Sequence, residues 1–399
     1  MDISGFDLAR LTPGFLHDPY PTYRALREQD PVRRMPDGTL FLTRHADLSR
    51  IYRDSATFGS GKAEEFRPKF GDSPLYDHHT TSLVFNDPPR HSRVRRLIAG
   101  ALTPRAISGM EAGLIQAVDA LLNRMDGAAD LIGDYAAAIP VEVIGNLLGV
   151  PPAERGPLRG WSLAILGALE PVLTHDAAAR GNQAVTEFLA YLEHLTADRR
   201  SRPGDPEQDV LTRLMQDGPE GDRLAQAELL HNCIFLLNAG HETTTNLIGN
   251  ALVLLHDHPA ERARLLADPA LLRPAIEEVL RHESSNQLGN RAMTAPSEVG
   301  GRVYPAGTRL TLCIGAANRD PEAFADPDRF DIGRTPNRHL AFAAGIHQCV
   351  GMSLARLEGA VAVGRFLARF PQYALEGAPV RGMRARFRGF TRAPVVLNG

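Results

Sequence analysis

Residues 342–351 read Phe-Ala-Ala-Gly-Ile-His-Gln-Cys-Val-Gly, and the fold turns on this stretch. Cys349 lies in a predicted loop, with Gly345 four residues before it and Gly351 two after. Glycines so placed let a backbone turn tightly and approach a flat ligand without Cβ clashes. An amphipathic helix follows, with Leu354, Leu357, Val361 and Leu367 at helical spacing. Cys349 therefore sits near a helix N-terminus, where unbonded N–H groups and the helix dipole favour a thiolate.

A zinc site needs paired cysteines or histidines at short spacing, and Cys233, Cys313 and Cys349 are far apart. A single thiolate in a loop rich in N–H groups suits a haem iron as its axial ligand. The pattern Phe342-x-x-Gly345-x-His347-x-Cys349-x-Gly351 resembles the haem-binding loop of the cytochrome P-450 family. That resemblance implies a mainly α fold with small β-sheets. In it haem b lies between a long distal helix and the proximal cysteine loop and helix. It also implies one domain over residues 1–399, with no fused reductase domain.

Composition agrees with a chain of this kind. Apolar residues make up 43% of the 399, enough for a large core, and no Pro/Ser/Gly-rich linker or repeat divides them. No run reaches the roughly 20 apolar residues of a membrane span. The first thirty residues carry no signal-peptide pattern. Net charge is −3, which calls for neither nucleic acid nor an anionic membrane. Of 44 basic residues only Lys62 and Lys69 are lysine. The expected setting is the cytoplasm, where unpaired cysteines stay reduced.

From about Leu224 to His256 the chain reads as one long helix interrupted in chemistry by Asn238-Ala-Gly-His-Glu-Thr-Thr-Thr245. Gly240 and three successive threonines are poor helix formers in a buried element, and such a violation points to function. A Thr243 hydroxyl can bond the Ala239 carbonyl, loosening the ladder and opening a bulge. Ala239-Gly-His-Glu-Thr243 resembles the family's oxygen-binding groove. The resemblance implies that Gly240 makes room for O2, Thr243 hydrogen-bonds the bound oxygen and Glu242 feeds protons.

A helix near Arg273 to Glu283 carries Glu278 and Arg281, an i,i+3 pair. The pair resembles the family's Glu-x-x-Arg lock beneath the haem, whose third partner matches Arg329; all three are read as structural. His91 and Arg95, one turn apart after Asp87-Pro-Pro89, match the family's propionate-binding positions, as do Arg291 and His347. An arginine fork grips a carboxylate bidentately. Ala343 replaces a second loop glycine.

The remaining expectations concern substrate and partners. Asn238, Asn286 and Leu288 are taken to line the substrate pocket, and two asparagines in usually apolar places imply a substrate with a hydrogen-bonding group. The stretch 58–84, with Lys62, Glu64, Glu65, His78 and His79, is expected as a polar, mobile lid. The function implied is a haem-thiolate monooxygenase inserting one oxygen atom of O2 into a small organic substrate, most simply by C–H hydroxylation. Electrons would come from a separate ferredoxin and ferredoxin reductase, docking on Arg334, Arg338, Arg356 and Arg365. Oxidative coupling and desaturation use the same scaffold. Peroxide-driven oxidation and a haem gas sensor would leave the Glu242–Thr243 relay idle.

Overall fold

The long helix spans Gln226–Asp257 in this computed structural model, which describes all residues except 207, 208, 219, 398 and 399. At 1.5 Å per residue, 32 residues run about 48 Å, enough to cross the whole molecule. Its start is fixed by the Glu228 carboxylate, which accepts the Ala225 N–H at 3.1 Å. Pro259, whose ring cannot continue a helix, stands just past its end and opens the helix Pro259–Ala267. Leu229, Ile234, Leu237, Ile248 and Leu252 are buried on different sides of the axis. A helix apolar all round belongs at the centre of a core. Helices Ala138–Leu147, Leu158–Gly167, His175–Ser201 and Met352–Arg369 surround it.

The expected bulge is not there. Thr243 Oγ1 does donate to the Ala239 carbonyl, at 2.6 Å, and Thr245 Oγ1 to that of His241, at 2.9 Å. The helix nevertheless runs unbroken through both, because packing along most of its surface holds the ladder that these bonds would loosen.

The β-structure is small and lies to one side. Its main sheet orders Val32–Arg34, Leu40–Leu42, Arg309–Cys313, Leu288–Met293 and Phe58–Gly59. Only Leu40–Leu42 with Arg309–Cys313 is parallel. The strand Leu288–Met293 carries Arg291, opposite Leu310. Leu288, opposite Cys313, packs into a cluster with Phe15, Tyr23 and Phe41. Among the described residues no helix is long and apolar enough to cross a membrane.

The C-terminal helix Met352–Arg369 buries Leu354, Gly359, Ala362, Phe366 and Leu367 against the long helix and its neighbours. Glu358 is buried among them, 2% exposed, and its Oε2 has no partner. Burial alone pushes this carboxyl up from 4.5 to about 8. The folded chain then keeps a proton that the unfolded chain has released above pH 4.5. Stability contributed by the neutral acid is whole below that pH and declines as pH rises to about 8, at up to roughly 1.4 kcal/mol per unit. Glu358→Gln should abolish this slope, so the Tm difference from wild type should grow in the variant's favour between pH 5 and 8. Parallel Tm curves would show that Glu358 is ionised in the fold.

Candidate functional site

The loop before the C-terminal helix closes on itself through a 3.0 Å hydrogen bond from the Cys349 N–H to the Phe342 carbonyl. Gly345 has φ +72°, and a Cβ there would stand 2.2 Å from the Tyr52 carbonyl oxygen, so glycine is required. Ala343 holds φ +54° without that freedom, a left-handed conformation that costs an L-residue about 1–2 kcal/mol. Nothing lies within 4 Å of a Cβ built on Gly351, so protein packing does not explain that glycine. The Phe342 ring packs on the Arg356 guanidinium, 4.8 Å from its centroid.

Cys349 is the exposed cysteine, while Cys233 and Cys313 are buried. The electrostatics at Cys349 act against a thiolate in the protein alone. Its surroundings are low in dielectric, and this desolvation pushes the thiol up; the Gly351 N–H, Arg95 and Arg356 act the other way without winning. A thiolate here needs a bound cation, which deprotonates a coordinating thiol outright.

Near it the chain gathers cations and imidazoles from three separate segments. His91 and His347 stack with ring centroids 3.9 Å apart. His347 Nε2 lies 3.7 Å from Asp87 Oδ1. Asp87 also accepts the Ser60 and Gly61 N–H groups at 2.7 and 2.9 Å. Burial would raise this carboxyl, but the His347 contact and the two N–H bonds hold it at about 2. Arg291, 6% exposed, donates to Ser60 Oγ at 3.1 Å and lies over the Tyr52 ring. Arg95 is half-buried and near enough to both histidines to push them down, though burial is their larger influence; His91 falls to about 4. The structure thus brings His91, Arg95, Arg291 and His347 together. Asp87 and Ser60, which organise them, were missed, although Asp87 stood inside the Asp-Pro-Pro motif.

These groups fit haem. Among the described residues, both ring nitrogens of His91 and the Nε2 of His347 are buried without a hydrogen-bond partner, and Arg95 has no hydrogen bond or ion pair. Such a donor set is what two carboxylates would satisfy. Among the described residues no three His, Cys, Asp or Glu side chains form a metal site. A metal held by Cys349 must therefore bring its other ligands with it.

Beneath the cysteine loop, Glu278 and Arg281 are fully buried and joined by two 2.7 Å bonds. Arg281 Nη1 also donates to the carbonyls of Asn318 and Pro327, at 2.9 and 2.7 Å. The third partner is corrected. Arg329 offers only its carbonyl, to Arg281 Nη2, and its side chain is exposed. Arg334, five residues on, supplies the second cation at 3.2 Å from Glu278. Arg334 is thereby lost to the expected basic dock. So are Arg356, which grips Glu277 at 2.7 and 2.8 Å, and Arg365, bound to Asp119. Of the four, Arg338 alone has no side-chain partner among the described residues.

On the long helix, Ala239 is exposed and Thr243 half-buried between buried neighbours, so this helix opens at one notch. Gly240 does not obviously serve it. A Cβ there would meet Ile144 Cδ1 at 2.8 Å, so the glycine lets helix Ala138–Leu147 pack closely. Glu242 is 6% exposed, with Oε1 bonded to Arg384 and Oε2 unpartnered. Burial raises its carboxyl, and Arg384 partly opposes the rise. Arg384 also donates to Glu170 at 3.0 Å, and Glu170 accepts the N–H groups of Ala385 and Arg386. Neither Arg384 nor Glu170 had a local signal; they lie 142 and 72 residues from Glu242.

The pocket expectations divide. Asn238 is 3% exposed, beside His78. Asn286 is half-buried in a backbone bridge to Phe387, its Oδ1 unpartnered. Leu288 belongs to a core cluster and only edges a 440 Å³ cavity bordered also by Lys62, Phe66, Glu170 and Arg386. The lid of 58–84 does not hold as a polar, exposed strip. It forms the helices Ala63–Phe70 and Pro74–Thr81, and Lys62, His78 and His79 are each 2% exposed. Apolar partners Phe66, Leu75 and Phe85 bury the polar residues between them.

Residues 169–380 match the family model described as Cytochrome P450. The chain is 38% identical to Cytochrome P450 107B1 of Saccharopolyspora erythraea, over 98% of this chain and 97% of that protein. The chain belongs to the cytochrome P450 family. It is also 38% identical to the vitamin D(3) 25-hydroxylase of Pseudonocardia autotrophica, over 96% and 95% of the two chains. Among solved structures it resembles P450BioI in complex with hexadec-9Z-enoic acid ligated acyl carrier protein. That likeness has a TM-score of 0.91 and 32% identity, covering 96% of this chain and 100% of that one. The cytochrome P450 fold, expected from ten residues, is the fold observed. As a member of a family of haem-binding monooxygenases, this chain is an oxidoreductase that takes small organic substrates.

Proposed function

We propose that this cytochrome P450 is a haem-thiolate monooxygenase of one domain, hydroxylating a C–H bond of a mainly apolar substrate in the cytoplasm. One observation carries the reading: an exposed cysteine shares a site with two cations and two imidazoles drawn from three segments, the imidazoles holding buried nitrogens with no hydrogen-bond partner among the described residues. Cys349 would hold the iron of haem b, and His91, Arg95, Arg291 and His347 its two carboxylates. When bound, the haem supplies activation of O2 and transfer of one oxygen atom to the substrate.

This chain's residues manage what surrounds that chemistry. The Thr243 hydroxyl has given its proton to the Ala239 carbonyl, so its oxygen is free to accept a hydrogen bond in the notch. Glu242, raised by burial, is suited to carry a proton on its unpartnered Oε2. Arg384 fixes the other oxygen and so orients the acid. Electrons would arrive from a ferredoxin and its reductase. Arg338 alone among the expected docking residues is free to meet an acidic partner. The vitamin D(3) 25-hydroxylase supports hydroxylation as the outcome.

A reduced carbon-monoxide difference spectrum of the purified protein tests thiolate ligation. Thr243→Ala tests the relay. With haem content unchanged, the variant should spend reducing equivalents without matching product, releasing peroxide and losing most of its coupling. Coupling equal to wild type would leave Thr243 a packing residue.

A further inference from the structure

Between the helix Pro74–Thr81 and the long helix lies a buried group of polar side chains whose hydrogen bonds are incomplete. His78 and His79 are 2% exposed, Asn238 3% and His231 8%. Asn238 Nδ2 is 3.5 Å from His78 Nε2. The His78 ring centroid stands 5.0 Å from that of His79 and 5.7 Å from that of His231. His78 Nδ1, His79 Nε2, His231 Nδ1 and Asn238 Oδ1 find no partner among the described residues. Buried polar side-chain atoms are bonded in the large majority of native structures, so four orphans in one place need an explanation. The long helix satisfies an asparagine where it is structural. Asn232, six residues earlier, accepts the Leu83 N–H at 3.0 Å and donates to the Glu228 carbonyl at 2.7 Å.

The surroundings restrict what could complete these bonds. Phe66, Phe70 and Phe85 stand around His79 with centroids 5.3 to 5.7 Å away, an apolar wall. The charged groups facing the cluster are Lys69, Asp77 and Arg90. Lys69 donates to the Glu170 carbonyl, Arg90 pairs with Glu228, and Asp77 is exposed. Burial holds His79 at about 3 and His78 and His231 below their ordinary value, so all three are neutral. A neutral imidazole offers one N–H and one bare nitrogen, and an amide offers both kinds of group. Together they offer donors and acceptors without charge. A carboxylate or ammonium there would be desolvated among neutral imidazoles and phenylalanine rings, which is strongly unfavourable.

We propose that His78, His79, His231 and Asn238 form the polar end of the substrate site and take an uncharged oxygen-bearing group, a hydroxyl, ketone or amide, at the end of an otherwise apolar molecule. The proposal rests on the haem-thiolate reading, which puts the reacting carbon beside Thr243. Asn238 and Thr243 are five residues apart, about 7.5 Å along the helix. The oxidised carbon should therefore be several bonds from the recognised group.

The test uses the haem-loaded protein and its variants His78→Phe and Asn238→Leu. Titrations read the haem absorbance with testosterone against 5α-androstane, and with decan-1-ol against decane and decanoic acid. Wild type should bind the neutral oxygenated member of each set roughly tenfold more tightly than the others. Both variants should lose that preference while binding the hydrocarbons no worse. Their Tm should hold or rise, since a site kept for a ligand leaves its orphan atoms as a burden on the free protein. The proposal is overturned if wild type has no such preference, if the preference survives in both variants, or if both variants melt lower. A reduced carbon-monoxide spectrum of each sample separates the failures. An intact thiolate band with no preference sinks this proposal alone, whereas a missing band in wild type sinks the reading beneath it.

Discussion

Cys349→Ser is expected to abolish the absorbance that distinguishes a thiolate-ligated haem in its reduced carbon-monoxide complex, and with it monooxygenase turnover. The expectation is strong because no other sulfur can take over. Cys233 and Cys313 are buried, and burial pushes both thiols up to about 12. A serine hydroxyl is a far poorer donor of electron density to iron than a thiolate. The loop itself should survive, since its closing bond runs from the backbone N–H of residue 349 and its turn is made by Gly345. Haem is therefore expected to remain partly bound through the His91, Arg95, Arg291 and His347 set. A variant that kept the thiolate band would refute Cys349 as the ligand.

The largest loss of stability is expected at the buried pair. Arg281→Ala would leave Glu278 charged and fully buried, and would deprive the carbonyls of Asn318, Pro327 and Arg329 of a donor. Removing one partner of a buried ion pair costs about 3–5 kcal/mol, a large share of the 5–15 kcal/mol that holds an ordinary domain together. Arg334 would soften the blow, because it already lies 3.2 Å from Glu278. Denaturant unfolding of the variant should show a midpoint far below wild type and poor haem retention, since this network lies under the segment that leads to Cys349. A cost under about 1 kcal/mol would mean that Arg334 and the Asn337 amide are enough to hold Glu278.

Elements whose signal is local were legible. The Glu278–Arg281 pair is set by helical spacing, and the long helix by its run of apolar residues. The strained turn around Gly345 was readable because φ near +72° wants glycine. Errors came where a residue's neighbour lies elsewhere in the chain. Arg329 and Arg334 are both plausible third cations five residues apart, and the path of the loop chose the second. The close packing of Gly240 on Ile144, 96 residues earlier, has no local signal either. Arginines 334, 356 and 365 read as a free basic face, yet each had an acid waiting across the fold.

The family and the helical architecture were in the sequence itself, because each rests on spacings of a few residues along one backbone. Tertiary structure alone decided that Asp87 organises the imidazoles, that Arg384 holds Glu242, and that His78 and His79 face Asn238 from inside a helix expected to be a lid. Burial and ion pairing depend on distances between segments 142 to 214 residues apart. Local periodicity carries no information about those distances; the packing of the helices around Gln226–Asp257 sets them.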